Sequence, residues 1–182
     1  MPDGARPMLG WDGGETGAVP RIESTVVVPL PAEQAFALSQ TYGDLRYRWD
    51  PFVREQRLLD GATGAGRGVR TWTRSRHRLT MVSEYVTFRP PTHVGMKMVR
   101  GPRFFRTFSG GWNFAPVDGG AATEATWRYN FTIQPGWLAP VADRVGVWLL
   151  GRDIRRRLDA FAAACADAEI VAALPTGDVP SA

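Results

Sequence analysis

At 182 residues the chain is long enough for one well-cored domain and short for two. Apolar and charged fractions of 44% and 22% are those of an ordinary soluble globular protein, and seven Trp with nine Phe point to a large apolar interior or an apolar hole within one. The net charge of +4 rests almost wholly on arginine, Lys97 being the only lysine, and no basic run interleaved with aromatics on a surface helix supports nucleic-acid binding.

Residues 1–19, rich in Gly, Pro and Asp without a period, read as a mobile tail lacking the apolar core of a signal peptide. RIESTVVVP (21–29) is β-branched and extended, a strand ending at Pro29. PAEQAFALSQ (31–40) opens on proline with Glu33 early, as a helix start should, and puts Ala35 and Leu38 on one side. YGDLRYRWDP (42–51) reads as a second short helix stopped before Pro51. VREQRLL (53–59) is a strand followed by the turn DGATGAGRG; its Gly-rich GATGAG lacks the Lys-Ser/Thr and the βαβ setting of a phosphate loop.

VRTWTR (69–74) and LTMVSEYVTF (79–88) form a hairpin around residues 75–78, and RPP (89–91) is a turn. HVGMKMV (93–99), RFFRTFSGGWNF (103–114) and TEATWRYNFTI (123–133) are further strands, the last two joined by the turn PVDGG. From Leu138 to about Ala168 the period changes. Val147, Leu150, Ile154, Leu158, Phe161 and Cys165 recur at steps of three and four, one face of a helix about 45 Å long. Residues 169–182 read as a second tail, which leaves one domain over 20–168.

Consecutive strands with short turns imply an antiparallel sheet, and a single long helix with one apolar stripe must cover a face of it. The fold class is therefore α+β: a curved sheet of six to seven strands wrapped around the C-terminal helix. A strongly twisted sheet curling around one helix leaves part of its concave face unfilled, and that gap is a cavity.

Side-chain alternation sets the walls. Trp127, Tyr129, Phe131 and Ile133 share the inward face of the last strand, and Val94, Met96 and Met98 that of 93–99. In 103–114, Phe104, Arg106, Phe108, Gly110 and Trp112 fall in step and are expected to point inward. Gly110 removes a side chain from the wall, and Gly111 permits a bulge or bend there. The gap serves sheet curvature, ligand room, or both. A buried guanidinium needs a partner, so Arg106 is either a pocket cation, paired to Glu84, or turned outward by a register slip.

These features resemble a known family. VVVPLPAEQAFALSQ (26–40) is similar to the strand–Pro–helix opening of polyketide cyclase/dehydrase-like proteins of the START/SRPBCC superfamily. FRPPTHV (88–94), WNFAPVDGGAATEATWRYNF (112–131) and the C-terminal helix ending in RRRLDAF resemble its Pro-Pro turn, penultimate hairpin and long helix, although Arg89 stands where an acidic residue is frequent. The resemblance implies a helix-grip fold enclosing a deep apolar cavity for a lipid, polyketide or other aromatic molecule. The function it implies is that of a cyclase or dehydratase-type enzyme, with a non-catalytic carrier or sensor as the alternative.

Such an enzyme works by shape plus a few polar groups for enolisation and dehydration. Arg106, Tyr129 and Glu84 are the candidates for that chemistry; Glu84 also fits the outward face of its strand. The ligand wall is expected to comprise Trp72, Tyr85, Met96 and Met98, then Phe104, Phe108, Gly110 and Trp112, and finally Trp127, Phe131, Leu150 and Ile154. His77, in the basic turn RSRHR, is a polar candidate or an exposed turn residue.

RDIRRR (152–157) is a solvated helix face, with Arg155 and Arg157 free to meet Asp159 and Asp153, or a docking patch for an acidic partner such as an acyl carrier protein or an anionic membrane surface. Cys165 is alone and the two histidines, His77 and His93, offer no zinc spacing, so no disulfide, metal or cofactor is expected. With no stretch long enough to span a bilayer, the expected location is the cytoplasm.

Overall fold

The computed structural model describes residues 21–135 and 139–175. The expected first tail, Leu138, the side chain of Val147 and residues 176–182 lie outside the described set. The chain runs β1 (Arg21–Val28), α1 (Ala32–Ser39), α2 (Asp44–Trp49), β2 (Val53–Leu58), β3 (Arg70–Ser75) and β4 (Thr80–Arg89). It continues through β5 (His93–Arg100), β6 (Phe105–Val117), β7 (Ala122–Ile133), α3 (Ala139–Ala166) and α4 (Ala168–Ala172). Part of the expected second tail is thus helical: the Asp167 carboxylate accepts hydrogen bonds from the backbone N–H groups of Glu169 and Ile170, and Ile170 is buried.

The seven strands form one antiparallel sheet in the order β1-β7-β6-β5-β4-β3-β2. Strands β2 to β7 are hairpin neighbours in sequence, and β1 closes against β7. The β6–β7 turn takes positive φ at Asp118, Gly119 and Gly120 (50°, 67° and 94°), which is why a DGG run sits there.

α3 packs across β1 and β7, with α1 and α2 beside it. At this end of the concave face the core is solid. Phe36 of α1 meets Phe114 edge-on with centroids 5.7 Å apart, and Phe161 of α3 lies 4.8 Å from Trp112. Ile154, Leu158 and Phe161 are fully buried there, as the helical stripe requires. Strands β3 to β5 curve away from the helix, and the space between them is the hollow.

One register detail decides which residues face that hollow. β6 pairs Phe105 with Ile133 but Thr107 with Thr132, so Arg106 is the extra residue of a bulge. Of the bulge or bend expected at Gly111, no bulge shows in its pairing: Gly110 and Gly111 stay in register with both neighbours. Gly111 is needed for close approach instead, since a Cβ there would strike the Val94 carbonyl and the Gly95 backbone.

Candidate functional site

The hollow has a volume of about 530 Å³, in the range of small-molecule sites. Its two long walls differ in chemistry. Met96 and Met98 of β5, Phe105 and Phe108 of β6, Ile133 of β7 and Leu150 of α3 make an apolar wall. Gln56 of β2, Thr71, Thr73 and Ser75 of β3 and Ser83 of β4 make the other, a stripe of one amide and four hydroxyls.

At the inner end lies a buried cluster of charges. The Asp50 carboxylate, just after α2, accepts from Arg157 Nη2 at 2.6 Å and Nε at 3.1 Å, and from Arg46 Nη2 at 2.7 Å. Arg157 Nη1 donates to the Tyr129 hydroxyl oxygen at 2.6 Å. The Arg157 guanidinium lies 4.0 Å from the Trp127 ring centroid and 4.6 Å from that of Phe52. Arg46 Nη1 donates to the Ser39 carbonyl at 2.7 Å, while its Nε has no partner among the described residues.

Burial alone would raise the Asp50 pKa, but the two guanidiniums outweigh it and bring it down to about 2. Burial lowers Arg46, the less satisfied of the two arginines, whereas Asp50 and Tyr129 more than offset burial at Arg157 and raise it. Tyr129 and Tyr85, both on the wall, are pushed up to about 12 by burial, with Arg157 and Arg46 respectively opposing. Asp153, one turn before Arg157 on α3, also lines the cavity. Burial raises its pKa, against the pull of Arg157 and His77.

The structure brings together on the cavity wall Tyr129, Tyr85, Met96, Met98, Phe104, Phe108, Gly110, Trp112, Trp127 and Leu150 of the expected set, with His77 at the rim. Gly110 leaves space that goes to the protein itself: a Cβ there would lie 2.7 Å from Tyr129 Cδ1, so the glycine seats the Tyr129 ring.

Other expectations are corrected. Arg106 is exposed and off the wall, because the bulge inserts it between the inward Phe105 and Phe108. Glu84 sits on the outer face, its carboxylate 3.6 Å from Lys97 Nζ. Trp72 also faces outward, under the Arg57 guanidinium at 4.7 Å, because the hydroxyls of Thr71, Thr73 and Ser75 take the inward positions of β3. Phe131 and Ile154 point inward but are buried in the solid core and stay off the cavity wall. Arg157 belongs to the buried cluster, while Arg152, Arg155 and Arg156 remain on the solvated face.

The charge cluster escaped the sequence reading, though two signals point to it. Arg46 of α2 and Asp50 just after it are spaced i, i+4. Arg157 is seven residues after Leu150 and thus lies on the apolar stripe of α3, where a lone charge must find an internal partner.

Residues 19–166 match the family model described as polyketide cyclase / dehydrase and lipid transport. No curated protein matches the chain in sequence. Among solved structures, the chain is similar to the Zhui aromatase/cyclase from Streptomyces sp. R1128, at 18% identity and a TM-score of 0.64, over 80% of this chain and 93% of that one. It is similar to a START superfamily protein from Mycobacterium smegmatis at 12% identity and 0.62, over 79% and 97%. A third likeness is to the protein XoxI from Bacillus cereus, at 16% identity and 0.66, over 82% and 97%. At such identities the likeness is one of fold, the helix-grip arrangement of sheet and terminal helix.

Proposed function

The chain belongs to the polyketide cyclase / dehydrase and lipid transport family, within the START/SRPBCC superfamily, and from that premise we propose that it binds an apolar or aromatic molecule with oxygen-bearing groups along one edge and acts on it as a cyclase or dehydratase-type enzyme. The observation that carries this reading is the pair Tyr129 and Arg157 on the wall of a 530 Å³ cavity, backed by the buried Asp50, with Asp153 on the same wall.

The Tyr129 oxygen already accepts from Arg157, so its own proton is free to be donated to a ligand carbonyl. When an α-proton leaves, the electron pair moves onto that carbonyl oxygen, where the Tyr129 hydroxyl and the Arg157 charge behind it stabilise the enolate. Asp153, its pKa raised by burial, is the carboxylate placed to take the proton and return it to a departing hydroxyl. The amide and hydroxyl stripe of β2, β3 and β4 orients the oxygenated edge, and the Met and Phe wall takes the apolar one. An acyl carrier protein delivering such a chain would meet the exposed Arg155 and Arg156 of α3.

The carrier or sensor reading has its own support in the exposed apolar residues Leu79, Phe104 and Leu149 that line the cavity, which suit passage of a ligand that leaves unchanged. Tyr129→Phe and Asp153→Asn, assayed on a poly-β-ketone thioester, separate the two. Turnover reduced about a hundredfold with binding of the fluorescent probe 1-anilinonaphthalene-8-sulfonate intact supports the enzyme. Probe binding by a protein that leaves the thioester unchanged supports the carrier.

A further inference from the structure

The cavity meets solvent where three segments converge. Leu79 after the β3–β4 turn, Phe104 just before β6 and Leu149 on α3 all line the cavity, yet they are 44%, 43% and 53% exposed. Trp148, next to Leu149, is the most exposed large apolar side chain among the described residues at 61%. Apolar side chains gathered around one opening mark an interaction surface.

The same segments are basic. Residues 75–79, 100–106 and 148–153 hold Arg76, Arg78, Arg100, Arg103, Arg106 and Arg152 against one carboxylate, Asp153. The arginines are all exposed and the carboxylate is half-buried, facing the cavity. These segments account for the whole positive excess of a chain whose net charge is +4. Arg106, displaced from the cavity by the bulge, is one of these exposed arginines. Trp148 and Arg152 are one helical turn apart and share a face.

We propose that this rim docks on an anionic lipid bilayer, with Trp148, Leu149, Phe104 and Leu79 entering the headgroup–acyl boundary and the arginines reaching the surrounding phosphates. An acidic protein would pair with the arginines but would leave unexplained why the apolar tips of three separate segments frame the entrance. A bilayer accounts for both, since interfacial binding combines buried apolar area with attraction to anionic headgroups. Docked in this way, the cavity opens onto hydrocarbon, and an apolar ligand passes between membrane and protein without crossing water. The proposal goes beyond the catalytic reading and holds whether or not the cavity performs chemistry.

The test is co-sedimentation of the full chain with vesicles of phosphatidylcholine alone and of equimolar phosphatidylcholine and phosphatidylglycerol. Binding is expected to the anionic vesicles only, and to fall as salt rises from about 0.05 to about 0.5 M. Arg103→Ser with Arg106→Ser is expected to weaken it about fivefold per arginine, and Trp148→Ser roughly tenfold. None of these three residues lines the cavity, so binding of 1-anilinonaphthalene-8-sulfonate should be unchanged in the variants. That separates failure of docking from failure of the cavity reading. Equal sedimentation with neutral and anionic vesicles, vesicle binding untouched by the substitutions, or capture of an acidic acyl carrier protein by this rim in place of vesicles would each overturn the proposal.

Discussion

Beneath α2 the cavity ends in buried, paired charges, whereas at its mouth the apolar side chains of Leu79, Phe104 and Leu149 are exposed. The two regions lie about 12 Å apart along α3, from Leu149 to Arg157. At the inner end Asp50 serves two guanidiniums at once, so removing Asp50 leaves both of them buried without a counter-charge. The mouth contributes little to the core. One region therefore holds the fold, and in the proposals above it also orients chemistry while the other meets a partner.

The largest effect that would break this contrast is expected at Asp50. Asp50→Ala strands Arg46 and Arg157 without a counter-charge and should cost about 3–5 kcal/mol in urea unfolding. The folded-state pKa of Asp50 is depressed to about 2 from an ordinary 3.8. Its contribution is therefore fully present above pH 3.8 and is lost as pH falls toward about 2. The stability gap between the wild-type protein and Asp50→Asn should narrow over that window; a gap constant from neutral pH down through it would contradict the pairing.

A smaller loss is expected where the cluster meets the sheet. Gly110→Ala pushes a methyl into the Tyr129 ring and should cost about 1–3 kcal/mol by overpacking. Tyr129→Phe leaves Arg157 Nη1 without its acceptor and should also cost about 1–3 kcal/mol in thermal or urea unfolding. The smallest effects belong to the mouth. Trp148→Ser should change unfolding free energy by no more than about 0.5 kcal/mol, and Arg106→Ala should leave both the melting temperature and probe binding unchanged. A large stability loss from either would mean that the rim is core after all.

How much of this was legible in the sequence followed from how locally each feature is encoded. Period-two alternation placed Trp127, Tyr129, Phe131 and Ile133 on the inner face of β7, and the helical stripe placed Ile154, Leu158 and Phe161 against the sheet, because both rest on geometry within one element. Arg106 failed for a reason that the same rule contains: one bulge residue shifts the phase, and nothing in RFFRTF locates it. Trp72 failed because a large aromatic was expected to face inward, whereas stacking under Arg57 satisfies it outside and hydroxyls line the hollow. The Asp50–Arg157 pair spans 107 positions, and its partners come from elements that only the folded topology brings together. Asp50 before Pro51 read as a helix stop, which it also is.

A titration with 1-anilinonaphthalene-8-sulfonate, comparing the wild-type protein with Met96→Trp, bears most directly on the central claim that a hollow between β3–β6 and α3 is the binding site. An indole at Met96 takes up space on the apolar wall of that hollow. The account predicts saturable binding to the wild-type protein and an affinity at least about tenfold weaker in Met96→Trp, with its unfolding transition still cooperative. Equal affinity in the two proteins would contradict it.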